Sequence, residues 1–305
     1  MKKILLSFFC LLFGYAAFAQ QDPQYSEYMF DQLAINPAYA GSCDVLSASL
    51  LARNQWVDIP GAPKTGNLIL QGPLAGKNVG LGLEISSDKI GPTTNNAISG
   101  SYAYHLKLGQ GKLALGIRAG IYDYQINWNE IDYKDKNDVY NSYSQTQKVI
   151  PTADAGLYYY TQTFYAGLSI THLLGSRMTD YNNPISMDAS FKPHAYLNFG
   201  KGFQLSQNVI LNPSILIKMA QNSPGTFDLN LNVLLDNKLW LGVSARDNYG
   251  LVLLAAFNIT PQFRLGYSYD AGFNAIGMAG GAAHEMLLNY DFNTHHSKSV
   301  SPRFF

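Results

Sequence analysis

The sequence is poor in charged residues and in cysteine, and beyond residue 19 it has no long apolar run. Asp, Glu, Lys and Arg make up 14% of the chain, against about 25% in a typical soluble domain. The 21 basic residues equal the 21 acidic ones, so no positive surplus points to nucleic acid. Cys43 is the single cysteine beyond residue 19, which excludes an intramolecular disulfide framework. Without about 18 consecutive apolar residues, that part of the chain is not predicted to form a membrane-spanning helix.

The first 19 residues have the features of a secretory signal peptide. Two lysines precede an apolar run over residues 4–17, and an A-x-A motif occupies residues 17–19. The apolar run is shorter than the about 20 residues that a transmembrane helix needs. We therefore expect residues 1–19 to be removed by cleavage between Ala19 and Gln20, and the rest of the chain to be exported.

From about residue 44 onward, apolar and polar residues alternate in runs of about ten. In one run Leu113, Leu115 and Ile117 alternate with Gly116 and Arg118, and successive side chains of a strand point to opposite faces. Runs with one lipid face and one lumen face are typical of transmembrane β-barrels. A soluble β-sandwich or propeller would alternate in the same way. Aromatic residues near the ends of the runs, and the scarcity of Lys and Arg on the apolar faces, favour the membrane barrel.

The runs predict 14 strands whose connections alternate between short and long. Residues 109–110 form one of the tight turns, whereas residues 128–150 form one of the long connections. An even strand count with short turns at one end and longer loops at the other is typical of outer-membrane barrels with both termini in the periplasm. The sequence therefore predicts an all-β, antiparallel up-and-down barrel over residues 44–293 and a C-terminal tail over residues 294–305. The predicted strands span residues 44–57, 65–73, 77–87, 95–108, 111–127, 151–160, 163–174, 192–205, 208–219, 225–236, 238–247, 249–259, 262–271 and 283–293.

Residues 20–43 lack the alternation of a strand. Tyr25, Tyr28 and Met29 have a short helical spacing, and Pro37 ends it because proline disfavours the helical conformation at the residue before it. An ordered segment of this length ahead of the first strand is expected either to plug the lumen or to lie beneath it on the periplasmic side.

The N-terminal part of the chain also carries the motifs of a known family. Residues 22–31 (DPQYSEYMFD) and 36–42 (NPAYAGS) resemble the mature N-terminus of the PorP/SprF family, which are outer-membrane proteins of the bacterial type IX secretion system. The similarity continues through residues 80–82 and 88–92, whereas the tail over residues 294–305 departs from the family pattern. The motif residues are Gln24, Tyr25, Tyr28, Asn36, Pro37, Ala38, Tyr39, Gly41, Arg53, Gln55, Trp56, Gly61 and Pro63.

The resemblance implies a non-enzymatic protein of the cell outer membrane. Members of this family support the secretion or the cell-surface retention of particular type IX cargo proteins, often large adhesins with a distinctive C-terminal domain, and some serve gliding motility. Others connect the outer membrane to periplasmic components that bind peptidoglycan. We accordingly expect a cargo protein, other type IX components and outer-membrane lipid as partners. We expect no nucleic acid, catalytic residue, cofactor or metal site.

Two other functions are compatible with a barrel but have less support in the sequence. Long-chain fatty-acid channels also have 14 strands, an N-terminal plug and an Asn-Pro-Ala element like residues 36–38. Such a transporter of hydrophobic molecules needs an apolar internal pocket, whereas the inward positions here are small and polar. A lipid-modifying enzyme needs a nucleophile and a base on one face. Ser169 and His172 are three residues apart in a predicted strand and therefore face opposite sides.

Two further patterns that suggest metal binding are weak. Asp132, Asp135 and Asp138 do not have the spacing of a calcium-binding loop, and lysines lie between them. His295 and His296 could bind a transition metal weakly, but no cysteine or carboxylate cluster lies near them in the sequence.

The alternation places charged side chains of both signs in the lumen. Mixed signs favour a charge-paired filling over a selective pore, which would carry one sign around a constriction. By the same parity, Arg53 is expected to reach the N-terminal segment from the lumen while Trp56 lies at the membrane interface. The predicted lumen charge network consists of Glu84, Arg118, Asp228, Arg246, Arg264, Glu285 and Asp291.

The long connections are the expected cargo-binding surface. In an outer-membrane barrel they lie on the extracellular side, and here they comprise residues 58–64, 128–150 and 175–191. Tyrosine and tryptophan are common hot-spot residues of protein interfaces. The candidate partner-binding residues are Trp128, Tyr140, Tyr143 and Tyr181.

Overall fold

The computed structural model describes residues 22–292 with six gaps, and within this part of the chain 14 antiparallel strands close into a barrel. Each strand pairs with its neighbours in sequence, and the first strand also pairs with the last. The gaps are residues 76–77, 136–137, 139–143, 176, 179–188 and 221–222. The strands are β1 (Ser47–Asn54), β2 (Lys64–Pro73), β3 (Val79–Ile90), β4 (Thr93–Leu108), β5 (Gly111–Asn127), β6 (Gln145–Tyr160), β7 (Phe164–Thr171), β8 (His194–Lys201), β9 (Val209–Ala220), β10 (Thr226–Leu235), β11 (Leu239–Arg246), β12 (Gly250–Asn258), β13 (Phe263–Gly272) and β14 (Ala283–Asp291).

Three short strand segments occur among the described residues besides these 14 strands. Phe203–Ser206 continues β8 beyond Gly202 and pairs with β9, with a shift of register within it. In the long connection between β7 and β8, Arg177–Met178 pairs with Ala189–Ser190. Phe203–Ser206 thus lengthens the wall, whereas the pair in the long connection forms a separate two-stranded sheet.

Alternation along the strands separates a lumen face from an outer face. In β13, Leu265, Tyr267 and Tyr269 are exposed, whereas Ser268 and Asp270 are fully buried. The outer face is thus apolar and the inner face polar, as a barrel surrounded by lipid requires. The predicted 14-strand transmembrane barrel is confirmed.

Several strands extend further than the alternation predicted. β3 and β4 continue to a two-residue turn at Gly91 and Pro92, where the predicted connection covered residues 88–94. Gly91 has a φ of 55°, which is the left-handed conformation that tight hairpin turns use. β6 begins at Gln145 rather than at residue 151, because its ladder with β5 continues through polar residues. At this mouth of the barrel the strands thus continue beyond the point where the alternation of apolar and polar residues ends.

The N-terminal residues lie inside the barrel, and we call residues 22–43 the plug. Asn36 orders its second half: Oδ1 accepts a hydrogen bond from Ala38 N (2.9 Å), and Nδ2 donates one to the Leu157 carbonyl of the barrel wall (2.9 Å). Leu33 and Ala38 are fully buried, so the hydrophobic core sits in the lumen. The plug contains two short 3₁₀ helices, Gln32–Ala34 and Pro37–Tyr39.

Aromatic side chains pack the plug against the wall. Tyr39 meets Tyr158 of β6 edge to face, with ring centroids 5.3 Å apart. Phe30 meets Trp240 of β11 in the same way at 5.5 Å. Such pairs contribute about 0.5–1.5 kcal/mol each beyond their burial, so they stabilise the plug on two sides of the lumen.

The connection between β13 and β14 contains one short helix, α1 (Ala275–Gly280). Asn274 caps it, because its Oδ1 accepts a hydrogen bond from Gly277 N (2.7 Å). Among the described residues, no helix combines the length and the apolar character that crossing a membrane would take.

Candidate functional site

The plug runs through the lumen from the mouth with the long loops to the mouth with the tight turns. At the long-loop end, the Tyr196 hydroxyl donates a hydrogen bond to Asp22 (3.0 Å). At the tight-turn end, Gly41 N donates to Gln71 Oε1 (2.8 Å), and the chain then enters β1. The long-loop mouth is the extracellular one in a barrel of this kind, so Asp22 lies toward the cell exterior.

Glycines in the wall allow the plug to lie directly against the strands. A Cβ atom added at Gly80 of β3 would overlap the Ala40 carbonyl oxygen, and one at Gly116 of β5 would overlap the backbone of Ala38. Gly100 of β4 is exposed, and a Cβ there would meet nothing within 4 Å. Backbone therefore packs on backbone where the plug meets Gly80 and Gly116.

A chain of buried charges crosses the lumen beside the plug. Arg53 lies in it: Nη2 is 2.7 Å from Asp270 Oδ2, and Nη1 is 3.0 Å from Glu285 Oε2. Nη1 also donates a hydrogen bond to Ser26 Oγ of the plug (2.9 Å). Glu285 Oε1 accepts hydrogen bonds from the backbone N–H groups of Ser26 (2.9 Å) and Glu27 (2.7 Å). Arg53 and Glu285 thus connect the plug to β1, β13 and β14.

The same chain continues toward β9 with charges of alternating sign. Arg246 Nη1 is 3.2 Å from Asp270 Oδ2, and its Nε is 3.3 Å from Asp228 Oδ2. Lys218 Nζ is 2.9 Å from the same Asp228 oxygen. Each buried charge in this chain faces an opposite one, which is the arrangement that buried charges require.

A second group of charges connects the plug to β3, β5 and β6. Arg118 Nε is 2.5 Å from Asp154 Oδ2, and Nη1 is 2.5 Å from Glu84 Oε2. Nη1 also donates to the Leu33 carbonyl of the plug (3.1 Å). The three charged side chains are 12% exposed or less. Both groups combine opposite signs, and neither forms the ring of one sign that a selective pore would use.

Two of the predicted network residues lie nearer the tight-turn mouth. The Arg264 guanidinium lies over the rings of Phe30 and Trp240, 4.9 Å and 5.9 Å from their centroids. Asp291, at the end of β14, accepts a hydrogen bond from Asn289 Nδ2 (3.1 Å). Arg264 therefore contributes to the plug contact through its planar guanidinium.

Asp22 fastens the extracellular end of the plug to β7 and β8. Its Oδ1 is 2.6 Å from His172 Nε2. Its Oδ2 accepts hydrogen bonds from the Tyr196 hydroxyl (3.0 Å) and the Thr171 hydroxyl (3.4 Å). His194 Nδ1 is 3.5 Å from the same oxygen. We call Asp22, His172 and His194 the mouth cluster.

His172 reaches Asp22 because β7 ends just before it. The strand stops at Thr171, and His172 has a φ of 55°, an uncommon left-handed conformation that turns its ring into the lumen. The ring stacks on Phe191 with centroids 5.1 Å apart. Ser169 instead donates a hydrogen bond to the Ile35 carbonyl (2.5 Å). The hydroxyl and the imidazole therefore contact different parts of the plug and do not form a nucleophile–base pair.

The environment of the plug favours an ion pair at its extracellular end and a neutral carboxyl group deeper inside. Burial raises the pKa of Asp22, but the neighbouring His172 outweighs burial and holds that pKa below its usual range. Burial lowers the pKa of His172, but Asp22 outweighs it and the net pKa shift is upward. Burial, and then the Glu285 carboxylate, raise the pKa of Glu27 well above its ordinary value. The Glu27 carboxyl is therefore favoured in its neutral form.

A small cavity lies between the plug and the wall at the extracellular mouth. Its volume is about 70 Å³, which is enough for a few water molecules. Sites for drug-sized ligands occupy about 300–1,000 Å³. The cavity is lined in part by Asp22, Tyr25, Glu84, Tyr122, His172 and Lys218. Apolar side chains such as Ile35, Phe191 and Leu216 line it as well, but its volume is well below that of a site for a drug-sized hydrophobic molecule.

The family-motif residues fall into the plug, β1 and the first outer loop. In that loop, Gln55 N donates to the Pro63 carbonyl (3.0 Å), and the Gly61 carbonyl accepts from Gly91 N (2.8 Å). Trp56 follows the end of β1 and has a φ of 49°. The alternation along a strand, from which Trp56 was predicted to lie at the membrane interface, therefore does not apply to it. The family-motif residues that lie in the plug are Gln24, Tyr25, Tyr28, Asn36, Pro37, Ala38, Tyr39 and Gly41.

Trp128, which the sequence suggested as a partner-binding residue of an outer loop, is buried in the structure. Its side chain is 9% exposed, and its Nε1 donates a hydrogen bond to Thr146 Oγ1 (2.8 Å). The longer β6 provides this partner, so the indole is buried rather than presented to a cargo protein. The remaining candidate partner-binding residues, Tyr140, Tyr143 and Tyr181, lie outside the described part of the chain, as do the cleavage-site residues Ala19 and Gln20.

Sequence reasoning missed three residues of this site. Asp270 shares a strand face with Arg264, so the alternation predicts that it points inward. The alternation does not predict that its carboxylate lies between Arg53 and Arg246. Asp22 lies in the family motif without being recognised as a contact of the wall. His194 is the first residue of β8, and nothing in the local sequence relates it to Asp22.

One family model matches nearly all of the chain that forms this plugged barrel. It is that of the type IX secretion system membrane protein PorP/SprF, and it matches residues 17–290. The chain belongs to the PorP/SprF family. It is accordingly an outer-membrane β-barrel with a role in type IX secretion, in association with other components of that system.

Several solved outer-membrane proteins are similar in structure at low sequence identity. The toluene transporter TbuX of Ralstonia pickettii has a TM-score of 0.49 and 10% identity, over 87% of this chain and 93% of that chain. Omp33 of Acinetobacter baumannii has a TM-score of 0.47 and 11% identity, over 82% and 100%. A FadL homologue of Pseudomonas aeruginosa has a TM-score of 0.40 and 13% identity, over 89% and 95%. No curated protein matches this chain.

Proposed function

We propose that this PorP/SprF barrel supports the secretion or the cell-surface attachment of specific type IX cargo proteins, and that the cargo binds its extracellular loops. The observation that carries this proposal is the filled lumen. The plug and the buried charges occupy the lumen, wall glycines let the plug lie against the strands, and the cavity at the extracellular mouth measures about 70 Å³. A barrel filled in this way has its loops, rather than its interior, as the surface for a large partner.

The connections between β5 and β6 and between β7 and β8 are the candidate cargo surface. They comprise residues 128–144 and 172–193. The ladder of β5 and β6 extends as far as Asn127 and Gln145, which raises the first loop on a long hairpin. Tyrosine is frequent at interface hot spots, so the proposed anchors within these loops are Tyr140, Tyr143 and Tyr181.

The rest of the chain has proposed roles that follow from the family and the topology. Residues 1–19 act as the signal peptide, and residues 294–305 form a C-terminal tail after the last strand. The tight turns on that side face other type IX components, among them a protein that binds peptidoglycan. The cargo is an adhesin with its own C-terminal secretion domain, and gliding motility is a proposed outcome of its display.

Exchanging residues 131–143 for a Gly/Ser linker of equal length tests the loop assignment. The cargo should disappear from the cell surface, as measured by whole-cell surface labelling and mass spectrometry, because two of the proposed anchors, Tyr140 and Tyr143, are removed. The barrel should keep its compact form on unheated gels, because the exchanged residues lie beyond the β5–β6 ladder. The matched control exchanges residues 275–280 of α1, also in an outer connection. Cargo retained by the first variant as fully as by the control would reject the assignment.

A pull-down distinguishes this function from the transport of hydrophobic small molecules. The tagged protein extracted from its own outer membrane in mild detergent should bring down a large surface protein of the type IX route. Cells that carry only this barrel should not take up a labelled fatty acid, because buried charges and the plug occupy the lumen. Recovery of the barrel alone, together with fatty-acid uptake, would favour the transporter.

A further inference from the structure

The three side chains of the mouth cluster have the composition of a transition-metal site. One ligand atom of each, a carboxylate oxygen of Asp22 and ring nitrogens of His172 and His194, lies within 4.8 Å of the other two. The side chains of His172 and His194 are 3% and 4% exposed, and that of Asp22 is 15% exposed. Two imidazoles and one carboxylate are a common ligand set for zinc and other divalent transition metals.

His194 supplies an independent observation that points to a ligand. Its Nδ1 is buried and has no hydrogen-bond partner among the described residues. The nitrogen faces Asp22 Oδ2 at 3.5 Å, beyond a good hydrogen bond. Buried polar atoms in native proteins nearly always have a partner, and an orphan calls for an unseen water or ion. A metal ion held between His194 and Asp22 would satisfy this nitrogen.

We propose that Asp22, His172 and His194 bind a divalent transition metal, with Zn²⁺ as the best fit, and that the metal fastens the plug to the extracellular mouth. Zinc is bound tetrahedrally by imidazole nitrogens and carboxylate oxygens at about 2.0–2.2 Å, which puts neighbouring ligand atoms about 3.3 Å apart. The two distances from Asp22 to the histidines, 2.6 Å and 3.5 Å, lie on either side of that value. The shorter distance is to Asp22 Oδ1 and the longer to Oδ2, so the Oδ1–His172 Nε2 contact has to widen from 2.6 Å to about 3.3 Å to admit the ion.

The surroundings of the cluster supply the other requirements of such a site. His172 Nε2 now bonds Asp22 Oδ1 at 2.6 Å and would exchange that hydrogen bond for the metal, while its Nδ1 faces Thr152 Oγ1 at 3.5 Å, on the side where a second contact orients a metal-binding histidine. Asp22 and His172 also line the cavity of about 70 Å³, which has room for a water molecule as the fourth ligand. The nitrogen ligands disfavour Ca²⁺ and Mg²⁺, which prefer oxygen ligands.

The metal would join parts of the chain that the strand ladders do not join. Asp22 belongs to the plug, His172 follows β7 and His194 begins β8. The connection between the two histidines is one of the proposed cargo loops. A bound metal therefore fixes both ends of that loop to the plug, and its loss would loosen both together.

Titration of the full-length mature protein with Zn²⁺ and with Co²⁺ tests the site. The chain carries H295A and H296A substitutions, because those tail histidines could bind metal themselves, and it is first freed of metal with a chelator. We expect one equivalent of Zn²⁺ by calorimetry, a visible Co²⁺ spectrum of low coordination number, and a higher melting temperature with Zn²⁺. Absence of binding, or of any effect on melting, would overturn the proposal.

Single substitutions place the metal on these residues. H194A and D22N should each weaken Zn²⁺ binding by at least about tenfold and abolish the Co²⁺ spectrum. H194Q replaces H194A if the alanine variant does not form the compact barrel. H105Q is the matched control, because His105 is equally buried but contacts Ala40 at the other end of the plug. Binding unchanged in both H194A and D22N, or lost equally in H105Q, would show that the metal does not bind at the mouth cluster.

Discussion

Replacing Arg53 with methionine should destabilise the folded barrel more than any single change of a surface charge. The Arg53 side chain is 1% exposed and contacts Asp270, Glu285 and Ser26 at 2.7, 3.0 and 2.9 Å. Methionine keeps much of the volume of the side chain but removes its charge and its hydrogen bonds. Two buried carboxylates then lose a common partner, and the plug loses one of its connections to β1.

The expected magnitude follows from the partners that remain. Breaking a buried ion pair by removing one member costs about 3–5 kcal/mol. Asp270 keeps Arg246 at 3.2 Å, and Glu285 keeps the backbone N–H groups of Ser26 and Glu27. Because neither carboxylate is left wholly unpaired, we expect the lower end of that range, about 3 kcal/mol.

Unfolding by urea in detergent micelles, followed by tryptophan fluorescence, measures this loss. Trp240 packs against Phe30 of the plug, so its emission reports on the plug as well as on the wall. The control is Lys89→Met, since Lys89 and Glu130 are 3.2 Å apart but 52% and 40% exposed, and such exposed pairs contribute about 0–1 kcal/mol.

A double substitution separates the ion pair from the loss of packing. Adding Glu285→Gln to Arg53→Met removes one of the two carboxylates that the first change leaves without its partner. The pair of changes should therefore cost less than the sum of the two single changes, by about 0.5–3 kcal/mol as for residues in one network. If Arg53→Met were no more destabilising than Lys89→Met, or if Arg53→Met and Glu285→Gln were additive, the charge chain would not hold the plug.

Three further changes test the plug. Gly80→Val should displace it and raise the ion conductance of the barrel in planar bilayers, whereas Gly100→Val, where a Cβ meets nothing within 4 Å, should not; equal conductance would contradict this packing. Glu27 has a raised folded-state pKa against an ordinary value of 4.5, so its stabilising contribution is complete below about pH 4.5 and is lost as pH rises through the folded-state pKa. Between about pH 5 and pH 8 the free energy of unfolding should therefore fall less in Glu27→Gln than in the wild type. An equal fall in both proteins would refute this. Asn36→Ala should cost about 1–2 kcal/mol in urea unfolding, because it removes a helix cap and a bond to the wall; Asn127→Ala, which removes an exposed cap, should cost less, and equal losses would speak against the wall contact.

The barrel itself could be predicted from the sequence because alternation is a local property. Each strand shows its two faces within about ten residues, as Leu265 and Tyr267 alternate with Ser268 and Asp270 in β13. Errors are confined to strand ends. The ladders of β5 and β6 continue through polar residues, where hydrogen bonding between backbones persists without an apolar face.

The direction of the lumen charges could be predicted in the same way, but their partners could not. Glu285 and Arg53 are both placed inward by parity, yet they are 232 residues apart in the sequence. Asp22 and His172 are 150 residues apart, and parity would have turned His172 the other way, since nothing in the sequence shows that β7 ends at Thr171 rather than at residue 174.

The sequence by itself thus determined the compartment, the family, the number of strands and which side chains within the strands face inward. The tertiary structure decided which of those side chains meet. Closure of the barrel brings β1 against β14, and the tilt and stagger of the strands set the height of each side chain in the lumen. The path of the plug then depends on wall glycines such as Gly80 and Gly116, where its backbone can approach. These are relations between distant parts of the chain, and no local pattern of residues encodes them.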